Sequence, residues 1–91
     1  MARPERAKPR DVVPGWPDAR SDDPVGEVAR QFTLRLRAAI GDRSLRDAGT
    51  ITGTSHVTLL KILDGQVWPD MATIAKLELG LGVDLWPGRR K

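Results

Sequence analysis

Ser55, His56, Val57, Thr58, Leu60 and Lys61 gather, within one short stretch, a hydrogen-bonding end and an apolar flank. Lys61 can donate to O6 and N7 of guanine or to a phosphate. His56 can donate to a base or a phosphate, and a place at a helix N-terminus would itself favour an anion. Val57 and Leu60 have no donor, so they can meet only a thymine methyl or the shape of a groove. Together they make a weakly polar reader, suited to a site containing A·T pairs and of moderate affinity unless other segments add contacts. Nothing comparable points to catalysis. Ser55 beside His56 is better explained as a helix cap next to a groove contact, and the chain has no phosphate loop and no nucleophile–base constellation. With no cysteine and one histidine it cannot assemble a zinc site of three or four such ligands. No enzyme activity, metal or cofactor is expected.

Those side chains need a rigid element, and residues 44–65 supply one. Leu45, Ala48 and Ile51 recur at spacing three, on one face of a first helix capped by Ser44 and stopped by Gly53. Ser55 can cap a second helix running to Asp64, with Gly65 ending it. Leu59, Ile62 and Leu63 form its inner face, and Val57, Leu60, Lys61 and Asp64 point outward. Helix, glycine-centred turn and helix is the layout of a helix-turn-helix, whose second helix enters the DNA major groove. Gly49 fits it: a mid-helix glycine costs about 1 kcal/mol against alanine and normally has a packing reason. The alternative is two unrelated helices and a fortuitous glycine.

The rest of the chain must hold that pair. Ninety-one residues make one small domain at most. The net charge of +3 is mild support for a polyanionic partner. No apolar run approaches the ~20 residues of a membrane span, and no apolar signal core follows the basic start, so a cytoplasmic protein is expected. Arginine far outnumbers lysine, and asparagine and tyrosine are absent, a bias that suits a GC-rich bacterium or phage. Residues 1–23 carry Pro4, Pro9, Pro14 and Pro17 and little hydrophobic periodicity, which predicts a disordered arm. Its start is basic, with Arg3, Arg6, Lys8 and Arg10, and its remainder acidic. Two readings stay open: cations that reach around a duplex, or a solvated tail. Val12, Val13 and Trp16 are odd in a tail and could dock on the domain or bind a protein partner. Asp23-Pro24 reads as a helix start. Val25, Val28, Phe32, Leu36 and Ala39 follow as a stripe ending near Gly41, with Arg30, Arg35 and Arg37 off it. Asp70 caps a further helix whose apolar side is Met71, Ile74, Ala75 and residues 77–81. A short fifth turn is expected around residues 84–86. The domain thus spans residues 24–87, and residues 88–91 form a basic tail.

From Leu34 to Trp86 the chain resembles the Cro/phage-repressor helix-turn-helix family, often called XRE-type. The matching pieces are S-L-R-D at residues 44–47, T-G-T-S-H-V-T-L at 52–59, I-L-D-G at 62–65, W-P-D-M-A-T-I-A-K-L-E at 68–78 and L-G-V-D-L-W-P at 81–87. The resemblance implies an all-α, compact four- to five-helix lambda-repressor-like bundle, and sequence-specific binding of double-stranded DNA by a transcriptional repressor. By position it places base reading on His56, Val57 and Lys61, with Leu60 beside them. Backbone contacts fall on Ser44, Leu45, Arg46, Ser55 and Thr58. Family members often dimerise through the end of the bundle, here Leu81, Val83, Leu85 and Trp86. Closure of the monomer's own core by Leu85 and Trp86 is the alternative. The chain departs from the family at Ala48-Gly49, where leucine then alanine is common, which predicts an underpacked corner. It departs again at Thr54, where valine is common. The exposed Val57 and Leu60 also leave open an antitoxin-like or other regulatory module that binds protein through the same fold.

Overall fold

The computed structural model describes residues 7–89, and among them the chain is all-helical, without a strand. The helices are α1 (Pro9–Val12), α2 (Pro24–Ile40), α3 (Leu45–Thr52), α4 (His56–Leu63) and α5 (Met71–Leu81). Caps set most of these boundaries. The Asp23 carboxylate accepts from the N–H groups of Val25 and Gly26, Ser44 from Asp47, Ser55 from Val57 and Asp70 from Thr73. Each satisfies an amide that the helix itself leaves unpaired. Losing its proton is what lets Asp70 accept so well, and its carboxyl is held below the usual carboxylate range by the Thr73 N–H.

One core holds the bundle: Phe32, Leu36 and Ile40 of α2, Ala48 of α3, Leu59 and Ile62 of α4, Leu77 of α5, and Leu85 beyond it. The α2 stripe runs as expected from Phe32 onward, but Val25 is 65% exposed. On α3, Ile51 is exposed and Thr52 is buried in its place. Three residues fall about 60° short of a full turn, so two such steps from Leu45 carry Ile51 off the face, whereas Thr52 lies four after Ala48. Thr52 satisfies its hydroxyl by donating to the Ala48 carbonyl at 2.8 Å. On α5 only Leu77 is fully buried. Ile74 and Leu81 pack on the core, while Met71 and Leu79 face outward. No helical turn forms at residues 84–86. Instead the Leu85 and Trp86 N–H groups donate to one Glu78 carboxylate oxygen at 2.8 and 3.0 Å. These two bonds, Trp86's foremost, hold the Glu78 carboxyl below its ordinary range.

The larger departure is at the other end, where the fifth helix lies. Residues 7–23, expected to be a disordered arm outside the domain, form a strap packed on it. Pro9 and Val13 are fully buried. The Arg10 N–H donates to the Gly65 carbonyl at 3.0 Å, the Trp16 indole N–H to Leu63 at 2.9 Å, and the Trp68 indole N–H to Ala7 at 2.8 Å. Gly65 makes room for this: its φ is +69°, and a Cβ there would stand 2.8 Å from the Trp16 ring. A second set of contacts ties the strap to α2. Arg30, only 6% exposed, forks onto Glu27 at 2.9 and 2.8 Å and donates to Pro17 at 3.2 Å. The Ser21 N–H and the Gln31 amide complete the Glu27 carboxylate. Hydrogen bonding to Arg30 therefore holds the Glu27 carboxyl far below its ordinary value, against the opposing pull of burial. The ordering entropy of the strap is offset by a few buried groups that carry no periodic signature.

Candidate nucleic-acid interface

The α4 helix is fixed by one face and open on the other. Leu59 and Ile62 are buried in the core, while His56, Val57, Leu60 and Lys61 are all exposed, Val57 by 48% and Leu60 by 54%. The four expected base-reading side chains thus lie together on one outward face. They combine a cation, an imidazole and two apolar groups. Nothing among the described residues pairs with Lys61 or His56. At the carboxyl end of α4, the strap occupies the carbonyl of Leu63 and sets Arg10 3.1 Å from Asp64.

The backbone-contact set is divided. Ser44 and Ser55 are exposed, each with its hydroxyl accepting from its own helix. Arg46 is exposed and Thr58 half-buried. Leu45 packs against the core, so only its main chain is left for a phosphate. Gly49 is buried where the turn crosses α3, and a Cβ there would stand 2.5 Å from the Thr54 carbonyl oxygen. This corner was expected to be underpacked. At Gly49 it is filled by backbone, which is why no larger residue fits.

Several cations away from α4 are committed. Arg30, expected off the apolar stripe, is buried against Glu27 and unavailable to phosphate. Arg37 pairs with Asp18 at 3.0 Å. Arg35 reaches the Trp86 carbonyl at 3.5 Å. Of the arm cations, Arg3 and Arg6 lie outside the described residues. Lys8 is exposed, and Arg10 is half-exposed in its pair with Asp64. Of the expected dimer contacts, Leu85 is a correction. It is fully buried and closes the chain's own core. Leu81 packs on that core, and Val83 and Trp86 are exposed by 40% and 55%. Sequence reasoning missed Thr50 and underrated Thr54. Both line a groove with Arg46, Gly49, Ser55 and His56 at the amino end of α4. A threonine following the turn glycine was the available signal.

No group of acidic, histidine or cysteine side chains that could hold a metal occurs among the described residues. No helix there is long and apolar enough to cross a membrane. Comparison with protein-family models gives no match, and neither curated proteins nor solved structures yield one.

Proposed function

We propose that this chain binds double-stranded DNA sequence-specifically through a helix-turn-helix formed by α3 and α4, and acts as a cytoplasmic transcriptional regulator, a repressor of XRE type, in a bacterium or phage. One observation carries the proposal. α4 is anchored by Leu59 and Ile62 and presents His56, Val57, Leu60 and Lys61 on a single open face. An α-helix fits the major groove, and such a face can meet base edges there. Lys61 supplies the guanine or phosphate contact, and Val57 and Leu60 the thymine methyls. Arg46, exposed in the first turn of α3, supplies charge for the backbone. A second copy would bring two such helices to successive grooves about 34 Å apart. The exposed Val83 and Trp86, with Leu79 near them on the last turn of α5, are the apolar edge it would use.

The test is a binding titration on duplex DNA over a range of salt. Lys61→Ala and His56→Ala should weaken binding and leave the melting temperature nearly unchanged. Ile62→Ala should instead lower stability by about 2–5 kcal/mol as a core truncation. The 48% and 54% exposure of Val57 and Leu60 also favours a second reading, an antitoxin-like module whose α4 face takes a protein partner. Counterion release makes DNA binding fall steeply with salt, and an apolar protein contact would show little such dependence.

A further inference from the structure

The chain has three tryptophans, one phenylalanine and no tyrosine. Phe32, Trp68 and Trp86, three of those four rings, line one cleft of about 200 Å³ between the first half of α2, the loop before α5 and the carboxyl-terminal segment. Phe32 is buried there and Trp86 exposed. The Trp68 ring is held by its indole bond to the Ala7 carbonyl. Pro69, Ile74 and Trp86 are shared with an adjoining cleft of about 560 Å³, which continues along α5 to Met71, Ala75 and Glu78. Clefts that take small molecules run from about 300 to 1,000 Å³.

The charge here is one-sided. Among the described residues, Glu78 is the one charged side chain lining either cleft, in a chain whose net charge is +3. One of its carboxylate oxygens accepts from the Trp86 and Leu85 N–H groups, and the other has no partner among the described residues. Those bonds hold the carboxyl below its ordinary range, so it is an anion at neutral pH. They also fix it beside the main chain of Trp86, whose side chain borders both clefts. Arg35 meets the Trp86 carbonyl at 3.5 Å and lines neither cleft. An aromatic face attracts a cation through its quadrupole, and a carboxylate with a free oxygen attracts it by charge. An anion finds no counter-charge there. A second copy facing the same surface would bring none to Glu78 either, because an isologous contact sets a patch against itself. Leu79 and Val83, from the edge proposed above for a second copy, line neither cleft.

We propose that the paired clefts bind a small organic cation, its apolar or aromatic body among Phe32, Trp68 and Trp86 and its ammonium between the Trp86 ring and the free Glu78 oxygen. The two parts of the ligand answer separate features. The rings supply apolar area for a body of modest size. Glu78 and the face of Trp86 select a cation over a neutral molecule of the same shape. The site does not depend on DNA binding.

The experiment titrates the whole chain, without DNA, with phenethylamine, phenethyl alcohol and phenylacetate, which share a ring and differ in charge. Amide and indole N–H spectra follow binding, and Trp16, in the strap and outside both clefts, is the control. The amine should give saturable shifts at the Trp68 and Trp86 indoles and none at Trp16. It should bind about threefold or more tightly than the alcohol, as a cation–π contact alone provides, and phenylacetate should bind most weakly. Glu78→Gln keeps an acceptor for the Trp86 and Leu85 N–H groups and removes the charge, so it should weaken the amine severalfold and leave the alcohol unchanged. Trp86→Leu keeps an apolar side chain and removes the ring, so it should weaken the amine more than the alcohol. Melts show whether each variant is folded, and if either is not, the three probes on the wild type decide. Equal affinity for amine and alcohol, tighter binding of phenylacetate, Trp16 shifts as large as those of Trp86, or a folded Glu78→Gln that holds the amine as the wild type does would each overturn the site. No saturable shift with any probe would do the same. So would a wild type that sediments as a dimer, shifts Trp68 and Trp86 on dilution and ignores the amine, since the cleft would then belong to a second copy.

Discussion

Replacing Trp16 tests whether the amino-terminal strap belongs to the fold. Its indole N–H donates to the Leu63 carbonyl at 2.9 Å, and its ring lies over Gly65. Leu63 ends α4, so its carbonyl is one that the helix cannot satisfy internally. Trp16→Phe keeps most of the ring contact and removes the hydrogen bond, which should cost about 1 kcal/mol. Trp16→Ala removes both. A buried tryptophan truncated to alanine costs about 3–5 kcal/mol. Trp16 is only partly buried, so about 2–3 kcal/mol is expected. A domain of this size has a total stability of roughly 5–14 kcal/mol, and a loss of 1 kcal/mol lowers its melting temperature by roughly 4–8 °C. The two variants should therefore separate clearly from the wild type, and from each other, in thermal and urea melts followed by circular dichroism. The Leu63 to Gly65 amides should lose protection from hydrogen exchange first. If Trp16→Ala melts with the wild type, within about 0.5 kcal/mol as surface substitutions do, the strap is a tail and the packing described for it is wrong.

Glu27→Gln should destabilise the domain by about 3–5 kcal/mol at neutral pH, because it leaves the buried Arg30 charge without its partner; urea melts measure it. The folded-state carboxyl lies far below its ordinary value, so the stabilisation is complete above the usual carboxylate range and is lost as the pH falls through the acid range below it. Wild-type stability should drop accordingly on acidification, and Glu27→Gln should remove much of that slope. Gly49→Ala should cost about 1–3 kcal/mol, because the new Cβ would meet the Thr54 carbonyl at 2.5 Å. A variant as stable as the wild type would mean that α3 and the turn are farther apart. Removing residues 1–6, which leaves Ala7 to accept from Trp68, should spare stability. It should lower the salt slope of DNA binding by about 0.9 for each of Arg3 and Arg6 that reaches a phosphate.

The central helices were legible because their signals are local. Ser44, Gly53, Ser55 and Asp70 mark boundaries by cap chemistry, and Phe32, Leu36, Leu59 and Ile62 mark the inner faces by period. The outward set of α4 followed from the same period. What stayed hidden depends on contacts distant in sequence. Val13 and Trp16 sit among prolines with no repeating pattern; they stood out as able to dock, but where they dock is set far off in the chain, Trp16's partners lying some fifty residues on, at Leu63 and Gly65. Arg30 looked like a surface charge because nothing in the sequence says that Pro17 and Ser21 return to cover it. Ile51 looked buried because spacing three was counted as a full turn. Thr54 was visible as an unusual residue, but its lack of a partner is a property of the packed turn alone.

Selection of bound sequences from random duplex DNA at low salt, run in parallel for the wild type, His56→Ala and Lys61→Ala, tests the DNA-reading role of α4 most directly. The account predicts one enriched motif containing A·T pairs for the wild type. Each variant should change or lose preference at particular positions within it, since a bidentate base contact is worth roughly 1–3 kcal/mol of discrimination. Enrichment of no motif by the wild type, or of a motif identical in all three proteins, would contradict it.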